Sequence, residues 1–273
     1  MGCFQTGIDD ASLRAMWKVG VSAAWRAAYR RSVRSAFATV PFYRERWALD
    51  GRTDPVLVPG RTGTDSGAAP LAEAVHKIID LVPLAGGTRR IEPNRGLGPV
   101  LRKARSVTGD ALVVVLGDDW TLPPTDLPRG VRCCLVDPEA PVPGVLAELA
   151  SALRGGRRVV AVGDDKQLAV FADVLPEDRA YRVESVPRRE LDTMDSGPYG
   201  VLHDPALGYL GAIEECGRWH LDWARVYART TPGGLAFTLL RQDSPRFVDV
   251  LPAGGVRGEI VPCPRHGTPV VLT

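Results

Sequence analysis

Two cysteine–histidine pairs in the last quarter of the chain have the residue types and spacing of metal ligands: Cys216-x-x-x-His220 and Cys263-x-x-His266. Thiolate sulfur and imidazole nitrogen are the donors that tetrahedral Zn²⁺ takes, and four of them close a structural site with no position left for water. The first pair spans about one helical turn or a tight loop. The second stands in Cys263-Pro264-Arg265-His266-Gly267, where Pro and Gly favour a turn tight enough for both side chains to meet one ion. The order, Cys-His then Cys-His, departs from the commoner two cysteines followed by two histidines. The competing reading makes Cys216 a small buried hydrophobe and His266 a solvated loop residue.

A second candidate lies in two near-repeats, Val-Val-Leu-Gly-Asp-Asp ending at Asp118 and Asp119, and Val-Ala-Val-Gly-Asp-Asp ending at Asp164 and Asp165. Each closes an apolar run that reads as a strand, and ligands of open α/β sheets bind outside the carboxyl ends of strands. Asp118 and Asp119 run into the loop of Pro123-Pro124 and could hold Mg²⁺ or a ribose. Asp164 or Asp165 reads as the cap of a helix over 166–174.

The elements that must position these residues follow from periodicity. Apolar residues Leu13, Met16, Trp17, Val21, Ala24, Trp25 and Ala28 recur at three- and four-residue steps, which predicts a helix over about 9–38, stopped by Pro41. A short helix follows at 42–47, and the Gly/Pro/Thr-rich stretch 51–70 reads as a loop. From 71 to 196 helices (71–81, 98–106, 143–153, 166–174) alternate with apolar runs (111–116, 131–136, 158–162). Strands apolar on both faces and separated by helices give a parallel sheet covered on both sides. From about Tyr199 the chain turns to short β-prone segments such as 234–240 and 246–250, punctuated by Gly and Pro. The expected class is α/β: a helical N-terminus (1–50), an α/β core (51–198) and a small β-rich subdomain (199–273) in which zinc offsets a thin core.

Composition narrows the functional classes. With 273 residues, 45% hydrophobic, 24% charged and a formal charge of +2, the chain can bury a core, and its charge does not argue for a nucleic-acid partner. Arg26, Arg30, Arg31 and Arg34 at helical spacing read as a solvated face. No apolar run nears the roughly 18 residues of a membrane span, and no secretory signal is visible. Five cysteines, two of them adjacent at Cys133 and Cys134, do not read as a disulfide framework. The expected compartment is the reducing cytoplasm, where thiolates remain available to a metal.

The residues Tyr199-Gly200-Val201-Leu202-His203, Glu215-Cys216, His220, Gly233-Gly234-Leu235-Ala236-Phe237-Thr238-Leu239-Leu240 and Ser244-Pro245-Arg246-Phe247, with Val40-Pro41-Phe42-Tyr43-Arg44-Glu45 upstream, carry a family likeness. They resemble the phenylacetate-CoA ligase and coenzyme F390 synthetase branch of the adenylate-forming superfamily. Many members add a cysteine cluster where Cys263-Pro264-x-His266 stands, which implies pairing of the four metal ligands. The resemblance also implies ATP with Mg²⁺, CoA and a small acid as ligands. Its pocket would take Tyr199, Gly200, Asp118 and Asp119 from this chain.

The departures are as informative. The family's Tyr-Gly-x-Thr-Glu places a glutamate for Mg²⁺–ATP where this chain has His203, with Asp204 beside it. The family's ribose-gripping aspartate has only Asp249 nearby, out of step. Thr62-Gly63-Thr64-Asp65-Ser66-Gly67 is a poor echo of its phosphate loop, and the chain ends at Thr273 before the family's lysine-bearing domain. His203, whose imidazole titrates near neutrality, is the candidate acid or base, oriented by Asp204 or Glu214. The expectation is a diverged, truncated member serving bacterial specialised metabolism, with adenylation impaired or lost. Alternatives are a zinc-stabilised scaffold or partner of a pathway enzyme, and an active acid-activating ligase of altered mechanism.

Overall fold

A computed structural model describes residues 10–48, 65–105, 107–117, 122–175, 182–194 and 199–272, with first-helix side chains from Ser22 onward. It divides into two compact units, Arg90–Asp222 and Met1–Arg89 with Trp223–Thr273.

The discontinuous unit starts with α1 (Asp10–Thr39) and α2 (Pro41–Trp47). Proline sits at the first turn of α2, where its missing N–H would have had no helical partner. Tyr43 and Trp47 are fully buried with ring centroids 4.6 Å apart, and Trp47 Nε1 donates to the Gly67 carbonyl at 2.8 Å. Most of the expected 51–70 loop lies outside the described residues, but Ala69–Pro70 forms a short strand, β1. The helix expected over 71–81 is α3 (Leu71–His76) followed by a 3₁₀ turn at Ile78–Leu81. The break falls before Ile78-Ile79, whose β-branched side chains crowd a helical turn.

The continuous unit contains α4 (Leu97–Arg105), β2 (Ala111–Leu116), β3 (Arg132–Val136), α5 (Pro143–Arg154), β4 (Arg158–Gly163) and α6 (Asp165–Val174). It continues with β5 (Val183–Glu190), β6 (Val201–Asp204), β7 (Gly208–Ile213) and β8 (Trp219–Leu221). Their order across the sheet is β8-β7-β6-β5-β4-β2-β3, parallel from β6 to β3 and antiparallel from β6 to β8. All six residues of β2 are buried, and alternate residues serve opposite faces. Val113 and Val115 pack with Val160, Val162 and the α4 residues Val100 and Leu101. Leu112 and Val114 pack with Val159, Leu149 of α5 and Phe171 of α6. Adjacent Cys133 and Cys134 divide the same way, one packed toward each cluster, and burial pushes both thiols up to about 12.

Two sequence expectations need correction here. The segment 183–190, with its charges and Pro187, gave no strand signal, yet β5 is an interior strand. The unit boundary also differs from the expected cut at 198. Arg188, Arg189 and Glu190 of β5 pair in parallel with Val201, Leu202 and His203 of β6, so the segment after Tyr199 extends the α/β sheet instead of starting a separate β subdomain.

The discontinuous unit resumes with β9 (Val226–Thr231), β10 (Gly234–Leu239), β11 (Val250–Leu251), β12 (Glu259–Pro262) and β13 (Pro269–Leu272). One sheet has the order β1-β11-β10-β9, while β12 and β13 form a hairpin. Of the strand expected at 246–250, only Val250 is in β11. Asp249, just before it, is fully buried at φ 51°. Its Oδ2 accepts from Tyr29 Oη at 2.6 Å and Arg229 Nη2 at 2.9 Å, and its backbone N–H donates to Thr238 Oγ1 at 2.9 Å. Trp25 Nε1 donates to the Val226 carbonyl at 2.8 Å, and Tyr29 stacks on Tyr227 at 4.1 Å. The network therefore ties α1 to β9.

Removing one member of a buried ion pair leaves the other charge uncompensated, at a cost of about 3–5 kcal/mol. Arg229→Met is expected to lower unfolding stability by about 3 kcal/mol, measured by urea denaturation, and combining it with Asp249→Asn should recover part of that loss. A wild-type-like Arg229→Met would show that the pair does not hold α1 to the sheet.

Candidate functional site

The four candidate ligands come from the turns of two hairpins. Between β7 and β8, the Gly217 N–H closes a turn on the Glu214 carbonyl at 2.9 Å, with Gly217 at φ 71°. That turn carries Cys216, and His220 follows in β8 opposite Ala212. Between β12 and β13, the Gly267 N–H donates to the Cys263 carbonyl at 2.8 Å, with Gly267 at φ 72°. Glycine suits both positions because a Cβ is disfavoured at positive φ. The first pair is thus a tight loop and not a helical turn, and the second is the turn that Pro264 and Gly267 lead one to expect.

Cys216 Sγ lies 2.9 Å from His220 Nε2, and Cys263 Sγ lies 3.8 Å from His266 Nδ1. Cys216 and His220 belong to the continuous unit and Cys263 and His266 to the discontinuous one, and within each pair the two donor atoms are close enough to share a metal ion. Zinc bonded at about 2.3 Å to sulfur and 2.0–2.1 Å to nitrogen separates neighbouring S and N ligands by about 3.6 Å. The second pair already has that spacing, whereas the first must open by about 0.7 Å. Cys263 and His220 are buried, Cys216 is half-buried and His266 is exposed. Glu214 Oε1 stands 3.6 Å from His220 Nδ1, the nitrogen not facing Cys216. A carboxylate in that place fixes the orientation of a ligating imidazole and raises its basicity. Sequence reasoning had given Glu214 a different histidine to orient.

The carboxyl edge of the parallel strands is also concave. A cavity of about 290 Å³ is lined by Gly117 after β2, Asp137 and Glu139 after β3, and Asp164, Lys166 and Gln167 after β4. Asp164 is the cap that its position suggested: its Oδ1 accepts from Gln167 N at 2.7 Å while Gln167 Oε1 accepts from Asp164 N at 3.1 Å. Asp165 is paired with Arg189, and Lys166 Nζ meets Glu139 Oε1 at 3.0 Å. Asp118 and Asp119 lie outside the described residues.

Tyr199, Gly200 and His203 do not line this cavity. Strands β5 and β4 separate β6 from β2, a distance of about 14 Å at the usual strand spacing. Tyr199 is 53% exposed, with the Arg105 guanidinium 5.6 Å from its ring centroid. Gly200 adopts φ 153°, and a Cβ there would fall 2.7 Å from the Pro187 carbonyl oxygen, so it serves close packing against β5. His203 is buried, its ring 4.7 Å from Tyr209 and its Nε2 3.0 Å from the Pro93 carbonyl oxygen. Desolvation, with Arg188 adding to it, pushes the imidazole down to about 3. Asp204 does not orient it, because its Oδ1 accepts from the N–H groups of Ala206 and Leu207 at 2.8 and 3.0 Å, shaping the β6–β7 turn.

Among solved structures, the chain is similar to 2-hydroxyisobutyryl-CoA ligase in two states. In the open conformation, in complex with 2-HIB-AMP and CoA, the match covers 90% of this chain and 71% of the ligase, with a TM-score of 0.55 and 14% identity. In the thioesterification state, with the same ligands, it covers 91% of this chain and 66% of the ligase, with a TM-score of 0.57 and 12% identity. The fold is adenylate-forming-ligase-like. The likeness is one of fold, and it does not single out the phenylacetate-CoA ligase branch. No family model and no curated protein matches the chain. Among the described helices, none is long and apolar enough to cross a membrane.

On this adenylate-forming-type fold, the buried Asp249–Arg229–Tyr29 network and the Lys103–Asp222 pair at 2.9 Å escaped sequence reasoning. Neither has a local spacing signal, since the partners are far apart in the chain.

The environment of His203 sets a pH dependence. Its folded value near 3 lies below the unfolded value of about 6.5. Between these limits the unfolded chain binds a proton that the folded protein does not, so stability is full above pH 6.5 and falls as pH drops, by up to about 1.4 kcal/mol per unit. His203→Gln, which retains an N–H for the Pro93 carbonyl, is expected to lose that part of the slope in urea melts between pH 7 and 5. Identical slopes would mean that the histidine is protonated freely in the folded state.

Proposed function

We propose that this protein is a diverged adenylate-forming-type protein, of the phenylacetate-CoA ligase kind, that binds an acyl, aryl or nucleotide-type ligand and has lost or weakened adenylation. Zinc on Cys216, His220, Cys263 and His266 is its structural ion, and bacterial specialised metabolism is its setting. The observation that carries the reading is the state of Asp249. It is the one carboxylate near the place of the family's ribose-gripping aspartate, and it is sealed from solvent by Tyr29, Arg229 and Thr238. A carboxylate whose oxygens face its own chain has nothing to offer ribose hydroxyls. His203, desolvated and held by a backbone carbonyl, is likewise poorly placed to move a proton, and we assign it a packing role.

The likeness to a ligase described with 2-HIB-AMP and CoA supports small-molecule recognition over a bare interaction module. ATP, Mg²⁺ and CoA are accordingly the first ligands to try. The competing reading, a scaffold for a pathway enzyme, is favoured by the same occupied Asp249 and is separated from ours by ligand binding. A ligand that binds only the folded state at about 100 times its Kd adds roughly 2.7 kcal/mol of stability. A thermal-shift screen with ATP, AMP, CoA and aryl acids is therefore expected to show a Tm rise for at least one compound, while pyrophosphate exchange with the same acids stays at background. Exchange at a rate typical of acid-activating ligases would overturn the impaired-adenylation reading, and no shift with any compound would favour the scaffold.

The metal has its own test. Purified protein is expected to carry about one equivalent of zinc by elemental analysis, and X-ray absorption should show two sulfur and two nitrogen ligands. Cys216→Ser should lower both zinc content and Tm, because binding energy at a structural site is folding energy. Metal-free protein of unchanged Tm would remove zinc from the account.

A further inference from the structure

We propose that the cleft formed by α1 and the β12–β13 hairpin binds an anionic amphiphile, a small carboxylate with an aromatic or aliphatic body. This site is separate from the carboxyl edge of the parallel sheet, and the inference does not rest on retained or lost adenylation. The cavity has a volume of about 560 Å³, within the roughly 300–1,000 Å³ usual for small-molecule sites. Trp25, Ile260, Val261 and Pro269 give it apolar walls, and Arg26 and Arg30 are the charged groups among its described lining residues. That combination is amphipathic, with one sign of charge.

The two arginines stand one helical turn apart, so they share a face of α1. Arg26 is held along the helix by Ser22, with Nη2 donating to Oγ at 2.6 Å and Nε to the carbonyl at 3.3 Å. Its Nη1 remains without a partner among the described residues. Arg30 is exposed and has no hydrogen-bond or ion-pair partner among them. No acidic side chain is among the described lining residues, so a cationic ligand would meet repulsion, while a carboxylate would meet two donors of fork geometry. The Trp25 indole N–H is already used on the Val226 carbonyl. Its ring is therefore left as an apolar wall, suited to an aryl or alkyl group. The Trp25 and Arg30 side chains are carried by the helix that Tyr29 fastens to Asp249, which gives the site a rigid wall.

The test uses the full chain and 1-anilinonaphthalene-8-sulfonate, an anionic aryl probe. Saturable binding at one site per chain is expected, with competition by decanoate and 4-phenylbutyrate and none by decylamine. The double variant Arg26→Glu/Arg30→Glu should weaken binding about tenfold or more. Ala23→Trp, which fills the cleft from an exposed lining position, should abolish it, and unchanged circular dichroism and Tm would show that both variants fold. Absence of saturable binding, equal competition by decylamine, or indifference to both variants would overturn the proposal. So would light scattering showing a dimer that Ala23→Trp dissociates, because the cleft would then be covered by a second copy of the chain.

Discussion

Burial of β2 and β4 on both faces is the constraint from which the continuous unit is built. A strand with no solvated side must find all its backbone partners in the sheet and all its side-chain partners in two layers. Here α4 covers one face while α5 and α6 cover the other, with Val113 and Leu112 marking the division. Once both faces are closed, polar groups can gather only at the strand ends. Gly117, Asp137 and Asp164 therefore meet at the carboxyl edge, although they are distant in sequence. The same constraint holds Cys133 and Cys134 apart despite their adjacency, because neighbouring residues of a strand face opposite layers.

The discontinuous unit is organised differently, around a buried charge. Asp249 has left-handed backbone geometry and no solvent exposure, and both conditions are unfavourable in isolation. They are offset because Arg229, Tyr29 and Thr238 converge on it from β9, α1 and β10. The carboxylate thus fixes the register of three elements at once. That is a structural use of an acidic residue, and it competes directly with any use of the same oxygens for a ligand.

The candidate metal donors and the α1 cleft share one architectural device, the short antiparallel hairpin. A hairpin turn closed by glycine at positive φ brings residues three or four apart onto one side of the turn, and Cys216/His220 and Cys263/His266 both use it. The β12–β13 hairpin also presents Ile260 and Val261 to the cleft. Its turn and its flank can therefore serve different chemistries.

Much of the architecture was legible in the order of residues. The apolar runs at 111–116 and 158–162, the helix between them and the Asp164 cap depend on contacts within a few positions, which periodicity and capping chemistry report directly. The Cys/His spacing, with Pro264 and Gly267 marking the turn of the second pair, was sufficient to nominate four ligands for the same reason. Tertiary structure alone decided the rest. Strand β5 carries charges and Pro187 and is recognisable only from the neighbours that pair with it. His203 looked like a free imidazole until packing against Tyr209 and the Pro93 carbonyl stripped its water and made protonation unfavourable. Asp249 reads in sequence as an out-of-step carboxylate, and what it does depends on Arg229 and Tyr29, which lie 20 and 220 positions away. Local spacing encodes which groups a chain can offer; burial and long-range pairing decide which of them remain free to react.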